Sequence, residues 1–205
     1  MSHEIKSTQD KLITAATLLF AEKGFSATTV KDVADAAGVN ISLVSYHFQG
    51  KENLYKTCIG NVGLRNYEMA QQVLQPVSNT EEFKVRLQLF IENILVSYAE
   101  NPSVTKIVHR EFDTPSPFFE DLFQYIFLKT FQTLVDYLTH AQHIGVLRSD
   151  IAAEGTACVI IGSVSHHGRS TLVAEKFLGK SLADPEYRKS IVTILMDIIT
   201  KGVLA

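Results

Sequence analysis

The segment TTVKDVADAAGVNISLVSYHFQGKENLY, residues Thr28 to Tyr55, constrains the fold of this chain more than any other stretch. Its valines and alanines recur at the spacing of a helix that buries one face: Val30, Val33, Ala34 and Ala37. Thr29 is a residue type that caps helix starts, and Gly38 supplies the positive φ at which the helix should end. Because a new apolar pattern begins only a few residues later, two helices joined by a very short turn must cross steeply.

The second helix is predicted to begin after Asn40, another residue type that caps helix N-termini. Its apolar side chains at i, i+3 and i+7 should face the first helix: Ile41, Val44 and Phe48. The opposite side carries Ser42, Leu43, Ser45, Tyr46 and His47. Hydroxyls and an imidazole reach phosphates or base edges, and an aliphatic group contacts a thymine methyl, so this face suits the major groove of DNA.

Gly50, Lys51 and Glu52 open a third helix directly after this pair. Free N–H groups at a helix start, the positive end of the helix dipole and a lysine ammonium all favour a bound anion. We therefore predict that Lys51 holds a DNA phosphate. The full set of predicted DNA contacts is Thr29, Asn40, Ser42, Leu43, Ser45, Tyr46, His47 and Lys51.

With LITAATLLFAEKGFSATTV just upstream, the segment resembles the N-terminal DNA-binding domain of TetR-family transcriptional regulators. In that family a helix, F-A-E-K-G-F, T-T-V, A-G-V and Y-H-F-x-x-K-E-x-L-Y follow in this order, as they do here. The resemblance covers about the first fifty-five residues, roughly a quarter of the chain. Leu43 stands where the family usually has a small or hydroxyl residue, and Ser45 where it often has an aromatic one.

The resemblance implies an organisation that the residue pattern does not give by itself. The helical period of the segments predicts an all-α fold, and the resemblance adds that there are about nine helices, with a three-helix helix-turn-helix domain at residues 1–55. Residues 56–205 would then form a helical domain that binds a small molecule and joins two subunits through the last two helices of each. The implied function is a repressor of transcription that a ligand releases from operator DNA.

Net charge argues for local rather than general attraction to DNA. The whole chain carries −3, and residues 1–56 hold six lysines against six acidic residues, which gives zero. DNA-binding domains are usually basic. Affinity must therefore come from the placement of individual lysines and helix N-termini, and binding to arbitrary sequences should be comparatively weak.

The remainder of the chain is helical in period, with no sustained alternation of the kind that predicts strands. The predicted caps of further helices are Ser7 or Thr8, Asn79 or Thr80, Asp150 and Asp184. The last helix is apolar on two faces, one with Ile194 and Ile198 and the other with Val192 and Ile199. A terminal helix that needs cover on two sides predicts a partner subunit, here a homodimer.

The two cysteines and the absence of a targeting signal bear on the compartment. Cys58 and Cys158 both lie in apolar helical patterns, so we interpret them as reduced, buried packing residues of a cytosolic protein, with a redox sensor as the alternative. No basic segment followed by an apolar run opens the chain, and its most apolar stretches are too short to span a membrane. A cytoplasmic location without a membrane partner is predicted.

Six of the twelve phenylalanines fall between Phe112 and Phe131. Rings at repeated i+4 spacing are commonly plain core, yet such a concentration of flat apolar surface is also the best candidate for a ligand pocket. The predicted effector-binding residues are Phe90, Tyr98, His109, Glu111, Phe119, Phe123, Tyr125 and His167.

His166 and His167 form a polar cluster with Arg169. Adjacent residues on a helix point about 100° apart, so the two imidazoles are poorly placed to bind one metal ion, and neither a metal site nor a cofactor is predicted. The alternative to a DNA-binding regulator is a small enzyme that uses a helical pocket with His166, His167 or Glu111. Salt-sensitive binding to a specific duplex would distinguish the first from the second.

Overall fold

The structure is a computed structural model that describes residues 7–204, without the side chains of Phe119, Tyr125 and Ile126. Within that range the chain is all-α, as predicted, and an isolated β-bridge joins Leu147 to Leu204. The α-helices are α1 (Thr8–Lys23), α2 (Val30–Ala37), α3 (Ser42–Phe48), α4 (Lys51–Val73), α5 (Thr80–Glu100), α6 (Pro102–Asp113), α7 (Phe119–Leu122), α8 (Leu128–His143), α9 (Ala153–Arg169), α10 (Thr171–Val173) and α11 (Pro185–Val203).

Two π-helical segments connect some of these helices. One, Phe123–Phe127, fills the interval between α7 and α8, and the other, Ala174–Leu178, follows α10 directly. If α7 and α8 count as one helix, and α9 and α10 as another, the described residues contain nine helices. That agrees with the number that the family resemblance implied.

The chain divides into two compact units. The N-terminal unit comprises the chain up to Val62 together with Ser103–Leu122, and the C-terminal unit comprises Gly63–Pro102 and the chain from Phe123 onward. Most of α6 therefore packs within the N-terminal unit, although it lies some forty residues beyond Val62. The boundary expected at residue 55 separated DNA binding from ligand binding, and it stays a prediction.

Helix starts follow the predicted caps at most positions. Ser7 and Thr29 each form a reciprocal capping box, with Asp10 and Asp32 respectively. Asn79 accepts a hydrogen bond from the backbone N–H of Glu82, and Asp184 caps α11 ahead of Pro185. Each such cap stabilises its helix by about 1 kcal/mol.

The cap predicted at Asp150 is wrong. The helix begins at Ala153, and the Asp150 carboxylate accepts from Arg148, with 2.6 Å between Oδ2 and Nη2. A local ion pair therefore competes for the carboxylate that would have capped the helix.

The core of the N-terminal unit is built on the apolar faces of its first four helices. Its fully or almost fully buried side chains include Leu12, Phe20, Val33, Val44, Phe48, Leu54, Tyr55, Cys58 and Ile59. Phe20, Phe25, Tyr55 and Phe118 pack as an aromatic cluster, with ring centroids of neighbouring pairs 4.8 to 6.2 Å apart. Such ring pairs add about 1 kcal/mol each beyond the burial of their area.

The core of the C-terminal unit joins α5, α8, α9 and α11. At its centre the rings of Phe83 and Tyr137 stack, with centroids 5.3 Å apart and planes 9° from parallel. The Tyr137 hydroxyl donates to the Phe83 carbonyl at 2.8 Å, so this buried polar group has its partner.

The two cysteines differ in environment. Cys58 is buried as predicted, and burial raises the pKa of its thiol to about 11. Cys158 is exposed, so the expectation that it packs inside is wrong. It lies next to Val159, which is also exposed although apolar, and this face of α9 is therefore not covered within the chain.

This difference predicts selective alkylation. A pKa near 11 leaves about one thiol in a thousand ionised at pH 8, and burial also keeps reagents away from Cys58. At protein concentrations low enough to keep the chain monomeric, we expect iodoacetamide to label Cys158 at least about a hundredfold faster than Cys58. After denaturation we expect both to be labelled equally. Peptide mass spectrometry over time measures the two rates, with Cys158→Ser as the control. Equal rates in the native protein would contradict the assignment.

Candidate nucleic-acid interface

The turn between α2 and α3 has the geometry that the sequence predicts. Gly38 adopts φ +65°, and its N–H and that of Val39 satisfy carbonyls at the end of α2. The Asn40 side chain accepts from the N–H and hydroxyl of Ser42, at 2.9 and 2.7 Å. Both sides of the turn are thus satisfied locally, and the two helices keep a fixed crossing.

One side of α3 is packed inside the N-terminal unit. Val44 is fully buried and Phe48 is 5% exposed, as predicted. The prediction that Ile41 packs against the first helix is wrong, since half of its surface is exposed. It precedes the first helical residue, Ser42, and so it occupies the turn.

The other side of α3 faces outward. Ser42, Ser45 and Tyr46 are exposed, Tyr46 by 79%, whereas Leu43 and His47 are half-buried. The rings of Tyr46 and His47 meet edge to face with centroids 4.9 Å apart. A rigid face of hydroxyls, an imidazole and an aliphatic group is therefore presented on a helix whose back is anchored in the core.

The Thr29 side chain caps α2, whereas the Asn40 side chain bonds to Ser42 in the turn before α3, whose N-cap is Ile41. The Thr29 hydroxyl accepts from the Asp32 N–H at 3.0 Å, and hydrogen bonds to Thr29 hold the pKa of the Asp32 carboxyl below its usual value. The exposed Thr29 and Asn40 side chains retain capacity for further bonds. Their DNA contacts stay a prediction.

Lys51 has an internal role that its sequence position did not reveal. Its ammonium donates to the carbonyls of Phe25 and Thr28, at 3.0 and 2.9 Å, and lies 4.2 Å from the centroid of the Phe25 ring. One of its three N–H groups remains for another acceptor. The phosphate role of Lys51 stays a prediction, beside its observed role in fastening the α1–α2 connection.

Arg110 fastens the same connection from α6. Its guanidinium donates to the carbonyls of Phe20 and Ala21 at the end of α1, at 2.8 and 3.0 Å. The buried hydroxyl of Thr28 donates to the Gly24 carbonyl at 2.8 Å. Backbone carbonyl partners of this kind leave no mark in the sequence.

Glu111 is a structural residue of the N-terminal unit in this conformation. It is 5% exposed, accepts a hydrogen bond from the buried hydroxyl of Tyr55, and accepts another from the N–H of Ser116 at 2.8 Å. Burial and the Glu111 carboxylate raise the pKa of Tyr55 above its ordinary value. His109, two residues earlier, is half-buried. An effector-binding role for Glu111 and His109 stays a prediction.

The predicted effector residues of the C-terminal unit differ in accessibility. Phe90 is fully buried core, whereas Phe123 and His167 are half-buried. The Tyr98 hydroxyl lies 3.3 Å from that of Ser165, and a Cβ at Gly168 would come within 2.7 Å of the Tyr98 ring. Burial, and to a smaller extent the adjacent His166, lowers the pKa of His167. The side chains of Phe119 and Tyr125 lie outside the described part of the structure.

A cavity of about 280 Å³ opens in the C-terminal unit between the end of α4 and α8. Its lining residues are Gln71, Leu74, Gln75, Pro76, Thr133, Asp136, Tyr137 and His140. None of the predicted effector residues whose side chains the structure describes belongs to this lining. The Tyr137 hydroxyl and the His140 imidazole form hydrogen bonds with the carbonyls of Phe83 and Val77. These two polar groups of the cavity lining are therefore already engaged within the chain.

The sequence model described as bacterial regulatory proteins of the tetR family matches residues 12–58, the same stretch that forms α1 to α3 and the start of α4. Residues 12–58 therefore form a TetR-family DNA-binding domain. The matched region contains all eight predicted DNA contacts, so the family assignment and the geometry concern the same surface.

Curated relatives and solved structures agree with this membership. The chain is 29% identical over 136 residues to Probable HTH-type transcriptional regulator YttP of Bacillus subtilis, and 32% identical over 76 residues to HTH-type transcriptional repressor KstR2 of Mycolicibacterium smegmatis. These matches span 63% and 37% of this chain, and 64% and 37% of the two relatives. The chain thus covers less than two thirds of either relative.

The similarity of fold to solved structures extends over the whole chain. The structure of the ketosteroid transcriptional regulator KstR2 of Mycobacterium tuberculosis superposes with a TM-score of 0.72 at 20% identity. The match covers 100% of this chain and 98% of the KstR2 chain. At this identity the likeness shows the fold.

Members of the TetR family are transcriptional regulators and not enzymes, so the enzyme alternative built on His166, His167 and Glu111 has no support.

Among the residues that the structure describes, no group of three or more His, Cys, Asp or Glu is placed to hold a metal ion. No helix in the described range is long and apolar enough to cross a membrane.

Proposed function

We propose that this chain is a transcriptional regulator that binds a pseudo-palindromic operator as a homodimer and is released from it by a small apolar or aromatic molecule. The observation that carries the proposal is the exposed polar face of α3, whose opposite face is locked in the core by Val44 and Phe48. A short helix presented in this way fits the major groove, with its side chains at base edges and phosphates.

The charge distribution supports specific binding over general binding. The first 56 residues carry no net charge, so few phosphates are neutralised by a broad basic surface. Direct contacts from Tyr46, Ser45 and Leu43 then account for a larger share of affinity. Two copies of α3 in a dimer would read two half-sites about one or more helical turns apart, each about 34 Å.

Exposed apolar side chains on α9 and α11 support the homodimer. Val159, Ile194 and Ile198 are 62%, 58% and 62% exposed. Gly155 and Gly162 lie on the same side of α9 as Val159, and nothing lies within 4 Å of a Cβ added at Gly162. Small residues beside aliphatic ones allow a partner helix to approach closely, and a two-fold axis would cover both faces at once.

The effector class is inferred from the composition of the C-terminal unit and from relatives. Phe123, Tyr98 and His167 are half-buried aromatic side chains, a residue type that favours an apolar or aromatic molecule. The relative named ketosteroid transcriptional regulator has the same fold, and relatives named repressors match the N-terminal region. Repression relieved by such a ligand is therefore the function that we assign.

DNA binding by this face can be tested with duplexes selected from a random pool. We expect a palindromic consensus, and an affinity that falls linearly with the logarithm of salt concentration. Leu43→Ala should change base preference at one position by about 1 kcal/mol or more, whereas Tyr46→Phe should weaken all duplexes alike. Fluorescence anisotropy at several salt concentrations measures both.

The matched control for Leu43→Ala is Leu18→Ala, since Leu18 is a 58% exposed leucine on α1. It should leave affinity and preference unchanged. Failure to enrich any sequence, or a base preference that Leu43→Ala leaves intact, would contradict the assignment of this face.

A further inference from the structure

The cavity between the end of α4 and α8 is lined by residues outside the proposed DNA and effector sites. We call it the α4–α8 cleft. Its volume is about 280 Å³. A water molecule takes about 30 Å³ in the liquid, so the cleft has room for a compact organic molecule of about nine heavy atoms. Drug-sized ligands generally occupy larger pockets than this.

The inner part of the cleft is apolar and its outer part is polar. Leu74 and Tyr137 are 6% and 2% exposed and form the inner surface. Gln71, Gln75 and Asp136 are exposed and surround the opening. A ligand that fits this surface combines an apolar body with a polar end.

Three side chains of the lining have an N–H or O–H donor already engaged within the chain. The Thr133 hydroxyl donates to the Lys129 carbonyl at 2.9 Å, and the Tyr137 hydroxyl is engaged as described above. His140 Nε2 lies 2.9 Å from the Val77 carbonyl oxygen. Because a carbonyl oxygen only accepts, Nε2 carries the proton and Nδ1 of the neutral imidazole is an acceptor. The polar capacity that remains on these three side chains is therefore accepting.

Asp136 adds a charged acceptor. Its Oδ1 accepts from Gln132 Nε2 at 2.8 Å, and its Oδ2 has no donor among the described residues. The Gln75 amide N–H donates to the Gln71 carbonyl, which leaves the Gln75 amide oxygen as a further acceptor. No lysine or arginine belongs to the lining. A primary ammonium group, with three donors and no acceptor, complements such a surface, and its hydrogen bonds to a carboxylate are of the strong, charge-assisted kind.

The surrounding charges do not neutralise this carboxylate. Burial is the main cause of the raised pKa of Tyr137, and Arg86 and Glu82 on α5 act on that pKa in opposite directions. Arg86 and Glu82 form an ion pair with each other, at 3.0 Å between Nη2 and Oε1. Lys129 lies 5.7 Å from the centroid of the Tyr67 ring. The ionisable side chains within one helical turn of the lining along α4 and α8 are Tyr67, Glu68, Lys129 and His143. Three carboxylates thus stand against two cations, which favours a positively charged ligand.

We propose that the α4–α8 cleft binds a small primary alkylammonium ion. The methylene chain of the ligand lies against Leu74 and the Tyr137 ring, and its ammonium group donates to Asp136 Oδ2 and to the Thr133 hydroxyl oxygen. Because Asp136 is exposed, the ammonium group keeps part of its hydration, and the cost of burying an ion pair is limited. A small anion would meet a carboxylate and no lysine or arginine.

Isothermal titration calorimetry of the full-length chain with putrescine, the four-carbon diamine, tests this site without operator DNA or an apolar effector. At about 0.15 M NaCl, which screens loose ion pairing on the surface, we expect saturable binding with a dissociation constant below about 1 mM. Butanediol has the same chain with hydroxyls in place of the ammonium groups, and it should bind at least about tenfold more weakly. Asp136→Asn removes the charge and keeps an oxygen for Gln132, and it should raise the dissociation constant for putrescine at least about tenfold.

Asp35→Asn is the matched control, because it removes an exposed carboxylate from α2 in the other unit. It should bind putrescine within about twofold of wild type, and the unliganded variants should melt at the wild-type temperature. Three results would overturn the proposal: no saturable binding of putrescine up to about 10 mM, equal affinity for putrescine and butanediol, or the same putrescine affinity in the Asp136→Asn and Asp35→Asn variants.

Discussion

Gly162→Leu is expected to convert the homodimer into monomers and to lower operator affinity by about a hundredfold or more. Gly162 is exposed on α9, and nothing lies within 4 Å of an added Cβ. The monomer therefore accepts leucine and gains about 1 kcal/mol of helix propensity. A partner helix packed against Gly162 would have no room for the new side chain. Two half-sites read by separate monomers then lose the effective concentration that linkage supplies, a factor of about 10² to 10⁴.

Val85→Leu is the control, because Val85 is 56% exposed on α5, outside the proposed interface, and so accepts a larger side chain. Sedimentation equilibrium and operator titration would be run on both variants. The proposal predicts a stable monomer for Gly162→Leu and an unchanged dimer for Val85→Leu. A fully dimeric Gly162→Leu variant with wild-type operator affinity would show that α9 does not join the subunits.

Tyr55→Phe should lower the free energy of unfolding by about 2–3 kcal/mol, although it removes a single oxygen atom. The lost hydroxyl donates to Glu111, a carboxylate that is 5% exposed and would keep only the N–H of Ser116 as an identified donor. Leaving a buried charge short of a partner costs more than losing a neutral hydrogen bond. Urea denaturation measures the change.

Tyr137→Phe serves as the control, because Tyr137 is equally buried, at 2% exposure, and donates to a neutral carbonyl of Phe83. It should cost about 1 kcal/mol. A double-mutant cycle adds the decisive comparison: in a Glu111→Leu background, Tyr55→Phe should cost much less than in wild type. An equal cost in both backgrounds would show that the hydroxyl does not act through Glu111.

Alkaline pH gives a further readout of the same contact. The pKa of Tyr55 is raised in the folded state by burial and by Glu111, so the folded chain keeps its phenol proton where the unfolded chain loses it. The contribution of this group to the free energy of unfolding is therefore fully present below the ordinary tyrosine pKa of about 10, and it declines as the pH rises above that value. Tyr55→Phe should remove part of that decline.

Local rules were sufficient to predict where most helices begin and which side of each is buried. The capping residues Ser7, Thr29 and Asn79 act within three residues of their own positions, so their partners can be identified in the sequence. The buried positions Val44 and Phe48 follow from helical period alone. The same rules failed at Ile41 and Cys158, because exposure there depends on where the helix starts and on what covers it.

The long-range polar contacts could not be predicted from the sequence. Lys51 bonds to carbonyls 23 and 26 residues away, and Arg110 to carbonyls about 90 residues away. A carbonyl belongs to every residue, so no residue type marks it as a partner. A charge that looks available for DNA or ligand can therefore be engaged in holding the backbone.

Because α6 belongs to the N-terminal unit, DNA-binding domains cannot be exchanged between regulators by a single crossover after α4 begins. A chimera joined after residue 62 would transfer α1 to α3 but leave Arg110 and Glu111 behind. The carbonyls of Phe20 and Ala21 would lose their guanidinium, and the Tyr55 hydroxyl would lose its acceptor. In evolution and in engineering alike, a change of operator is therefore more readily achieved by substitutions on the outer face of α3 than by transfer of the whole DNA-binding domain.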